Sequence, residues 1–224
     1  MTAFICVALV LCLLVGNIGA LSEKMTGDMF VFAYSWTPEF CSGNSYPGCK
    51  TPQDYWGKYF TVHGLWPQYS AGGYPHDCTK EAFNSSVPNA VGWNDMTKYW
   101  PNVQASETSS SYSSFWEHEW TKHGTCTGLS QYDYFSKTLS LIKSFGTPAS
   151  VTKAVGSTIS ASTLRNDFGG SSYVALQCDS GKYLSGAYTC WNQSNGVPTT
   201  QRTCPKDVIG EDTCTSSTLT VKKF

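Results

Sequence analysis

Apolar and polar positions divide this chain into many short elements rather than a few long amphipathic ones. Met29–Trp36 is a nearly unbroken apolar and aromatic run, as expected of a strand buried on both faces, and Pro38 stops it. Lys58–Trp66 alternates instead, with Tyr59, Thr61 and His63 on one face and Phe60 and Val62 on the other. His63 then projects near the end of that strand, before a turn made by Gly64–Pro67. Trp93, Met96 and Trp100 are spaced for a short helix that Pro101 ends, and a serine-rich loop, Ala105–Ser114, follows. Ser130 with Asp133 resembles a capped helix start. Tyr132, Phe135, Leu139 and Ile142 form that helix's apolar stripe before Gly146. Ala149–Leu164 leans to helix, while Tyr173–Cys178, Lys182–Cys190 and Leu219–Lys223 read as strands. The pattern contains no internal repeat, linker or coiled coil.

The densest chemistry lies in Phe115–Cys126, FWEHEWTKHGTC. On a helix, His118, Lys122, Glu119 and His123 share an arc of about 140°, flanked by Trp116 and Trp120, with Glu117 pointing away. Gly124 is placed to end the helix, leaving His123 in its last turn. One histidine, glutamate or lysine on a helix is ordinarily a solvated face. Four on one arc, backed by two indoles, point to a site. The spacing is wrong for a zinc protease, whose H-E-x-x-H places its histidines four apart; here they are five apart, with Lys122 beside them. Imidazoles, an ammonium and a carboxylate suit metal-free proton transfer at a phosphate. That chemistry needs an acid and a base on opposite sides of phosphorus. A lone strand histidine is ordinarily structural, but His63 supplies the second side that the helix lacks.

Composition narrows the partners. The first 22 residues are uncharged, Phe4–Val15 is nearly all apolar, and small residues follow. This reads as a secretory signal peptide over residues 1–20, cut near Ala20, with a single domain over 21–224. The apolar core is too short for a membrane anchor. With 15 basic and 16 acidic residues there is no basic run to hold long nucleic acid by charge. A nucleic-acid substrate has to be gripped locally, by stacking and directed contacts. After the leader, eight cysteines remain: Cys41, Cys49, Cys78, Cys126, Cys178, Cys190, Cys204 and Cys214. Their even number implies disulfides, and no pair has zinc-ligand spacing. Asn84 and Asn192 are glycosylation acceptors.

FTVHGLWPQ and FWEHEWTKHGTC resemble, nearly residue for residue, the two active-site segments of the T2 family of secreted acid ribonucleases. The WPN at Trp100–Asn102 and the C-terminal cysteines also fit. The resemblance implies an α+β fold, a central antiparallel sheet packed by helices and stapled by disulfides Cys41–Cys49, Cys78–Cys126, Cys178–Cys214 and Cys190–Cys204. Of roughly a hundred pairings that eight cysteines permit, it alone selects this one. It implies a cofactor-free endoribonuclease that cuts single-stranded RNA, not DNA, through a 2′,3′-cyclic phosphate, with low base specificity. His123 matches the general base, His63 the general acid and His118 a phosphate-binding histidine; Glu119 and Lys122 match groups that stabilise the transition state. Trp66, Gln68 and Tyr74 resemble the pocket for the base 5′ of the cut, and Asn102, Gln104 and Phe115 the 3′ pocket. Gln68 stands where some members have Asp, and Ser35 where plant members often have Gln. His76 matches no catalytic position and is read as a loop residue. A monomer, secreted or in an endolysosomal or vacuolar compartment, is expected. The rivals are a metal-dependent hydrolase, disfavoured by histidine spacing and Lys122, and a non-catalytic relative, expected to have lost one of the two catalytic histidines.

Overall fold

The computed structural model describes residues 26–224, so the leader and its cysteines, Cys6 and Cys12, lie outside it. In chain order the elements are β1 (Met29–Ser35), α1 (Thr37–Phe40), α2 (Pro47–Lys50), β2 (Thr61–Gln68), α3 (Val87–Val91), α4 (Trp93–Tyr99) and α5 (Ser114–Lys122). A short 3₁₀ turn, Gly124–Cys126, follows α5. The chain continues through α6 (Gln131–Phe145), α7 (Ala149–Ala154), β3 (Ser157–Ser160), α8 (Ala161–Asp167), β4 (Val174–Asp179), β5 (Tyr183–Ser194), β6 (Val197–Arg202), α9 (Lys206–Ile209) and β7 (Thr218–Val221). The fold is α+β.

One sheet holds all seven of these strands, in the order β2-β1-β5-β7-β3, with β4 and β6 also paired to β5. Its ladders are antiparallel except for the parallel bridge between Tyr183 and Thr220. β1 is apolar throughout because both its faces are covered. Phe30, Phe32 and Tyr34 enter the main core with α4, α5 and α6, while Met29 and Val31 meet Cys190, Val208, Trp66 and Tyr188 on the opposite face. The second, smaller face carries the candidate site.

β2 departs from the expected pattern. It runs from Thr61 through Gln68, so Gly64–Pro67 is strand rather than turn, and Lys58–Phe60 precedes it. In its pairing with β1, Ala33 faces Gly64 and Tyr34 faces Val62, which leaves His63 as the extra residue of a bulge. The bulge breaks strict alternation. Val62 and Leu65 both enter the main core, whereas His63 and Trp66 both turn to the other side. The edge is held shut from the core: Trp100 Nε1 donates to the His63 carbonyl at 2.9 Å and Tyr134 Oη to the Leu65 carbonyl at 3.1 Å. These bonds occupy carbonyls that an edge strand would otherwise leave unpaired.

α6 begins at Ser130, whose Oγ accepts from the Asp133 N–H at 3.1 Å, and ends at Gly146. Its buried stripe is Tyr134, Phe135, Thr138, Leu139, Leu141 and Ile142; Tyr132, expected there, is exposed in the helix's first turn. Ala149–Leu164 is not one helix: Gly156, with a positive φ of 76°, separates α7 from β3. The disulfides are Cys41–Cys49, Cys78–Cys126, Cys178–Cys214 and Cys190–Cys204, the pairing that the resemblance implied.

Candidate active site

α5 is anchored by its tryptophans. Trp116 and Trp120 are buried in the main core, and Trp116 Nε1 donates to the Trp100 carbonyl at 2.8 Å. This turns the polar arc toward β2 rather than to open solvent. The helix ends at Lys122, one residue earlier than expected, with His123 as its C-terminal cap. Gly124 does not act as a left-handed cap. It is needed because a Cβ there would collide with the Trp120 ring. The Cys78–Cys126 bridge, the Asp77 N–H donating to the Lys122 carbonyl at 3.0 Å and the Cys78 N–H donating to Thr125 Oγ1 at 3.2 Å bind the loop after β2 to this helix end.

Glu119 is the joint between strand and helix. It is 1 % exposed, its Oε2 accepts from Trp66 Nε1 at 2.9 Å, and its Oε1 lies 3.9 Å from His63 Nε2. Gly64 makes that joint possible, since a methyl group there would strike both Glu119 Oε2 and Trp66 Nε1. The Trp66 indole stacks on His123 with centroids 5.2 Å apart and meets His63 edge-on at 5.3 Å. His63 also contacts the Phe115 ring edge-on at 5.7 Å. One indole and one buried carboxylate thus fix the two imidazoles relative to each other.

Two cavities meet at this point. The larger, about 400 Å³, includes His63, Asn102, Gln104, Phe115 and His118, with Ser35 on its wall. The smaller, about 280 Å³, includes His63, Trp66, Gln68, Tyr74, His118, Glu119, Lys122 and His123. His63 and His118 line both. Every residue expected at the site therefore lines one of the two lobes. Their engagements differ. Asn102 spends its amide on the Tyr112 carbonyl (2.9 Å) and Ser114 Oγ (3.3 Å), and its Oδ1 accepts from the Gln104 N–H at 3.2 Å, so it shapes the loop. Tyr74 is half exposed beside His123, at 6.4 Å between centroids. His76 is exposed and paired with Asp77 at 2.7 Å, in a loop as expected.

The electrostatics follow from burial among like charges. His63 has its pKa lowered to about 4 by desolvation, then by neighbouring His118 and Lys122. His123 is lowered to about 3 by desolvation, then by Lys122, His118 and His63. Glu119 is raised to about 8 by burial, against the opposing pull of the Trp66 hydrogen bond and Lys122. The site thus holds two neutral imidazoles and a protonated carboxyl facing an exposed histidine and a lysine. It is built to receive an anion.

Residues 27–204 match the Ribonuclease T2 family model. The chain belongs to the ribonuclease T2 family. Among its curated relatives, Ribonuclease 1 of Arabidopsis thaliana is 34% identical over 158 residues, 68% of this chain and 66% of that protein. Ribonuclease T2 of Sus scrofa is 37% identical over 119 residues, 50% of this chain and 52% of that one. The chain spans about half to two thirds of the length of the curated relatives it matches. The structure of ribonuclease MC1 from bitter gourd seeds superimposes with a TM-score of 0.65, covering 86% of this chain and 99% of that chain at 25% identity.

Sequence reasoning missed the far wall of the smaller lobe, made by Val31, Tyr188, Val208 and Glu211. Tyr188 packs edge-on against Trp66 at 5.2 Å. Tyr188 and Glu211 belong to neither motif. The apolar run of β1 signalled Val31 as buried, but not which face it covers.

Proposed function

We propose that this protein is a metal-independent endoribonuclease that cleaves single-stranded RNA by transphosphorylation. The observation that carries this reading is the pair of imidazoles, His63 from an edge strand and His123 from a helix end, lining one lobe with His118 and Lys122. A bound phosphodiester brings its own nucleophile, the ribose 2′-OH. His123 takes the 2′-OH proton, O2′ forms a bond to phosphorus, the P–O5′ bond breaks, and His63 gives its proton to O5′. His118 and Lys122 hold the phosphate oxygens, where negative charge concentrates in the transition state. Water then reverses the two roles and opens the cyclic phosphate to a 3′-phosphate.

The division of roles follows the resemblance. The Glu119 carboxyl lies 3.9 Å from His63 Nε2 and, kept protonated by burial, sets a neutral partner beside that imidazole. Desolvation first, then repulsion from His118 and Lys122, keeps both histidines neutral in the free protein, and a substrate phosphate offsets the second of these. Activity should therefore peak in acid, and a rate still climbing above about pH 8 would contradict the scheme. The lobes flank the scissile phosphate: Trp66, Gln68 and Tyr74 take the base on the 5′ side, and Phe115 and Gln104 the base on the 3′ side. Variants of ribonuclease MC1 have been crystallised with 5′-GMP and with 5′-UMP, the kind of ligand such lobes accept. DNA lacks the nucleophile, and duplex RNA keeps its bases stacked away from both lobes.

The test is purified protein on single-stranded RNA in excess chelator, scored for 2′,3′-cyclic phosphate ends. Cleavage with those ends is expected. Loss of activity in chelator, or cleavage at a site carrying a 2′-deoxyribose, would overturn the mechanism.

A further inference from the structure

The smaller lobe has a polarity that phosphate binding does not use. Lys122 supplies its cationic side and His63, His118 and His123 its imidazoles, whereas Gln68 and Glu211 are acceptors on its lining. Gln68 is 6 % exposed, and its Nε2 donates to Asp207 Oδ2 at 3.1 Å. The same Asp207 oxygen accepts the Gly73 N–H at 2.9 Å, which fixes Gln68 with its donor turned to Asp207 and its carbonyl oxygen left as an acceptor. Glu211 is different from Asp207: its carboxylate makes no hydrogen bond or ion pair with any described residue. It is nonetheless held in place. Val208 packs under Trp66 and Tyr188 with Met29, Val31 and Cys190, and the Glu211 N–H donates to the Val208 carbonyl at 3.1 Å. The Cys190–Cys204 bridge ties the segment before α9 to the sheet.

We propose that Glu211 reads the base on the 5′ side of the cut, and that the smaller lobe thereby prefers guanine. The inference rests on the reading of this site as an RNA-cleaving one. A base seated in this lobe, which Trp66 and Tyr74 line, can present its edge to the acceptors Gln68 Oε1 and Glu211. Guanine alone presents two adjacent donors on its pairing edge, N1–H and N2–H₂, which match the two oxygens of a carboxylate. Adenine and cytosine place one amino group beside a bare ring nitrogen, whose lone pair opposes the carboxylate. Uracil has one N–H between two carbonyls. Burial and then neighbouring Asp207 raise the Glu211 pKa, as expected of a carboxylate crowded by another acid without a compensating cation. Glu211 is exposed at the lobe, so a donor-bearing base edge would take the place of water at its carboxylate. The preference departs from the low base specificity that the family resemblance implies.

The experiment measures kcat/KM for the dinucleoside phosphates GpU, ApU, CpU and UpU with the wild-type protein and with Glu211→Gln. GpU should exceed ApU by about tenfold, the discrimination expected of one bidentate contact. Glu211→Gln replaces one acceptor by a donor and should lower the GpU:ApU ratio about tenfold. Because the ratio is taken within one preparation, any loss of folded protein cancels. If all four are cut but the wild type shows no guanine preference, or the ratio is unchanged in Glu211→Gln, the assignment of Glu211 is overturned while RNA cleavage stands. If none is cut, the RNA-cleavage reading itself fails and takes this inference with it.

Discussion

β2 delivers His63 to the smaller lobe and α5 delivers His118 along with His123 at its C-terminal cap, but strand and helix hold their histidines by opposite means. α5 is positioned by its back: Trp116 and Trp120 are sunk in the core, and the polar arc follows from helical geometry. β2 is an edge strand that places His63 through a defect, the bulge, with its free carbonyls held by Trp100 and Tyr134. The helix histidines are therefore secured by local periodicity and the strand histidine by long-range contacts. Where they meet, Gly64, Trp66 and Glu119 lock the two segments together.

The largest effects should be equal on both sides. His63→Ala and His123→Ala each remove half of one concerted proton transfer, and each should cut kcat by about 10²-fold or more while circular dichroism stays unchanged. A folded variant of either that keeps near-normal turnover would remove that residue from the mechanism.

Next come the two glycines, which suffer the same added methyl group with different results. Gly64→Ala pushes Trp66 and Glu119 apart and should reduce kcat on the order of 10²-fold, because displacing reacting groups by about 1 Å costs that much. Gly124→Ala strikes the Trp120 ring, a core group, and should show first as about 1–3 kcal/mol of lost stability by denaturant unfolding. If Gly64→Ala loses stability but keeps kcat, the joint is structural only.

This contrast also explains what could be read in the sequence. The helix cluster was legible because residues three to five apart share a face whatever the rest of the chain does. The bulge was not, since an extra residue exists only relative to the partner strand; Gly64 and Pro67 read as a turn where the strand continues. Asn195–Gly196 carried a usable signal. Both have positive φ, 50° and 75°, and they join β5 to β6 as a two-residue hairpin. Pro198 argues locally against a strand, yet β6 lies against β5 alone, where an edge strand tolerates proline. Tyr188 and Glu211 were beyond reach, because only tertiary folding brings β5 and the residues after α9 to the lobe.

A finer test addresses the joint without disturbing the backbone. Trp66→Phe keeps an aromatic face against His123 but deletes the N–H that Glu119 Oε2 accepts at 2.9 Å. An unpartnered buried acceptor should cost about 1–3 kcal/mol in stability. Since that bond opposes the upward shift of the Glu119 pKa, its loss should also move the Glu119-dependent limb of the pH–rate profile higher. A profile unmoved by Trp66→Phe would show that the hydrogen bond does not tune Glu119.

The smallest effect separates the two segments by pH. His63 and His123 have folded pKa values near 4 and 3, below the 6.5 of a free imidazole, so the unfolded chain binds the extra protons. Their contribution to stability is therefore lost as pH falls from 6.5 toward those values and is fully present above 6.5. Glu119 has the opposite sign. Its folded pKa, about 8, exceeds the ordinary 4.5, so the folded protein binds the extra proton. Its contribution is fully present below 4.5 and is lost as pH rises to 8. Between 4.5 and 6.5 the histidines and the glutamate oppose each other, and from 6.5 to 8 only Glu119 of the three still titrates. The thermal midpoint should then fall by several degrees between about pH 6.5 and 8. Glu119→Gln, neutral at every pH, should flatten that slope while leaving the acid limb to the histidines. An identical decline in Glu119→Gln would mean that Glu119 is already ionised at pH 6.5, and that the strand and helix are joined through an ion pair with His63 instead.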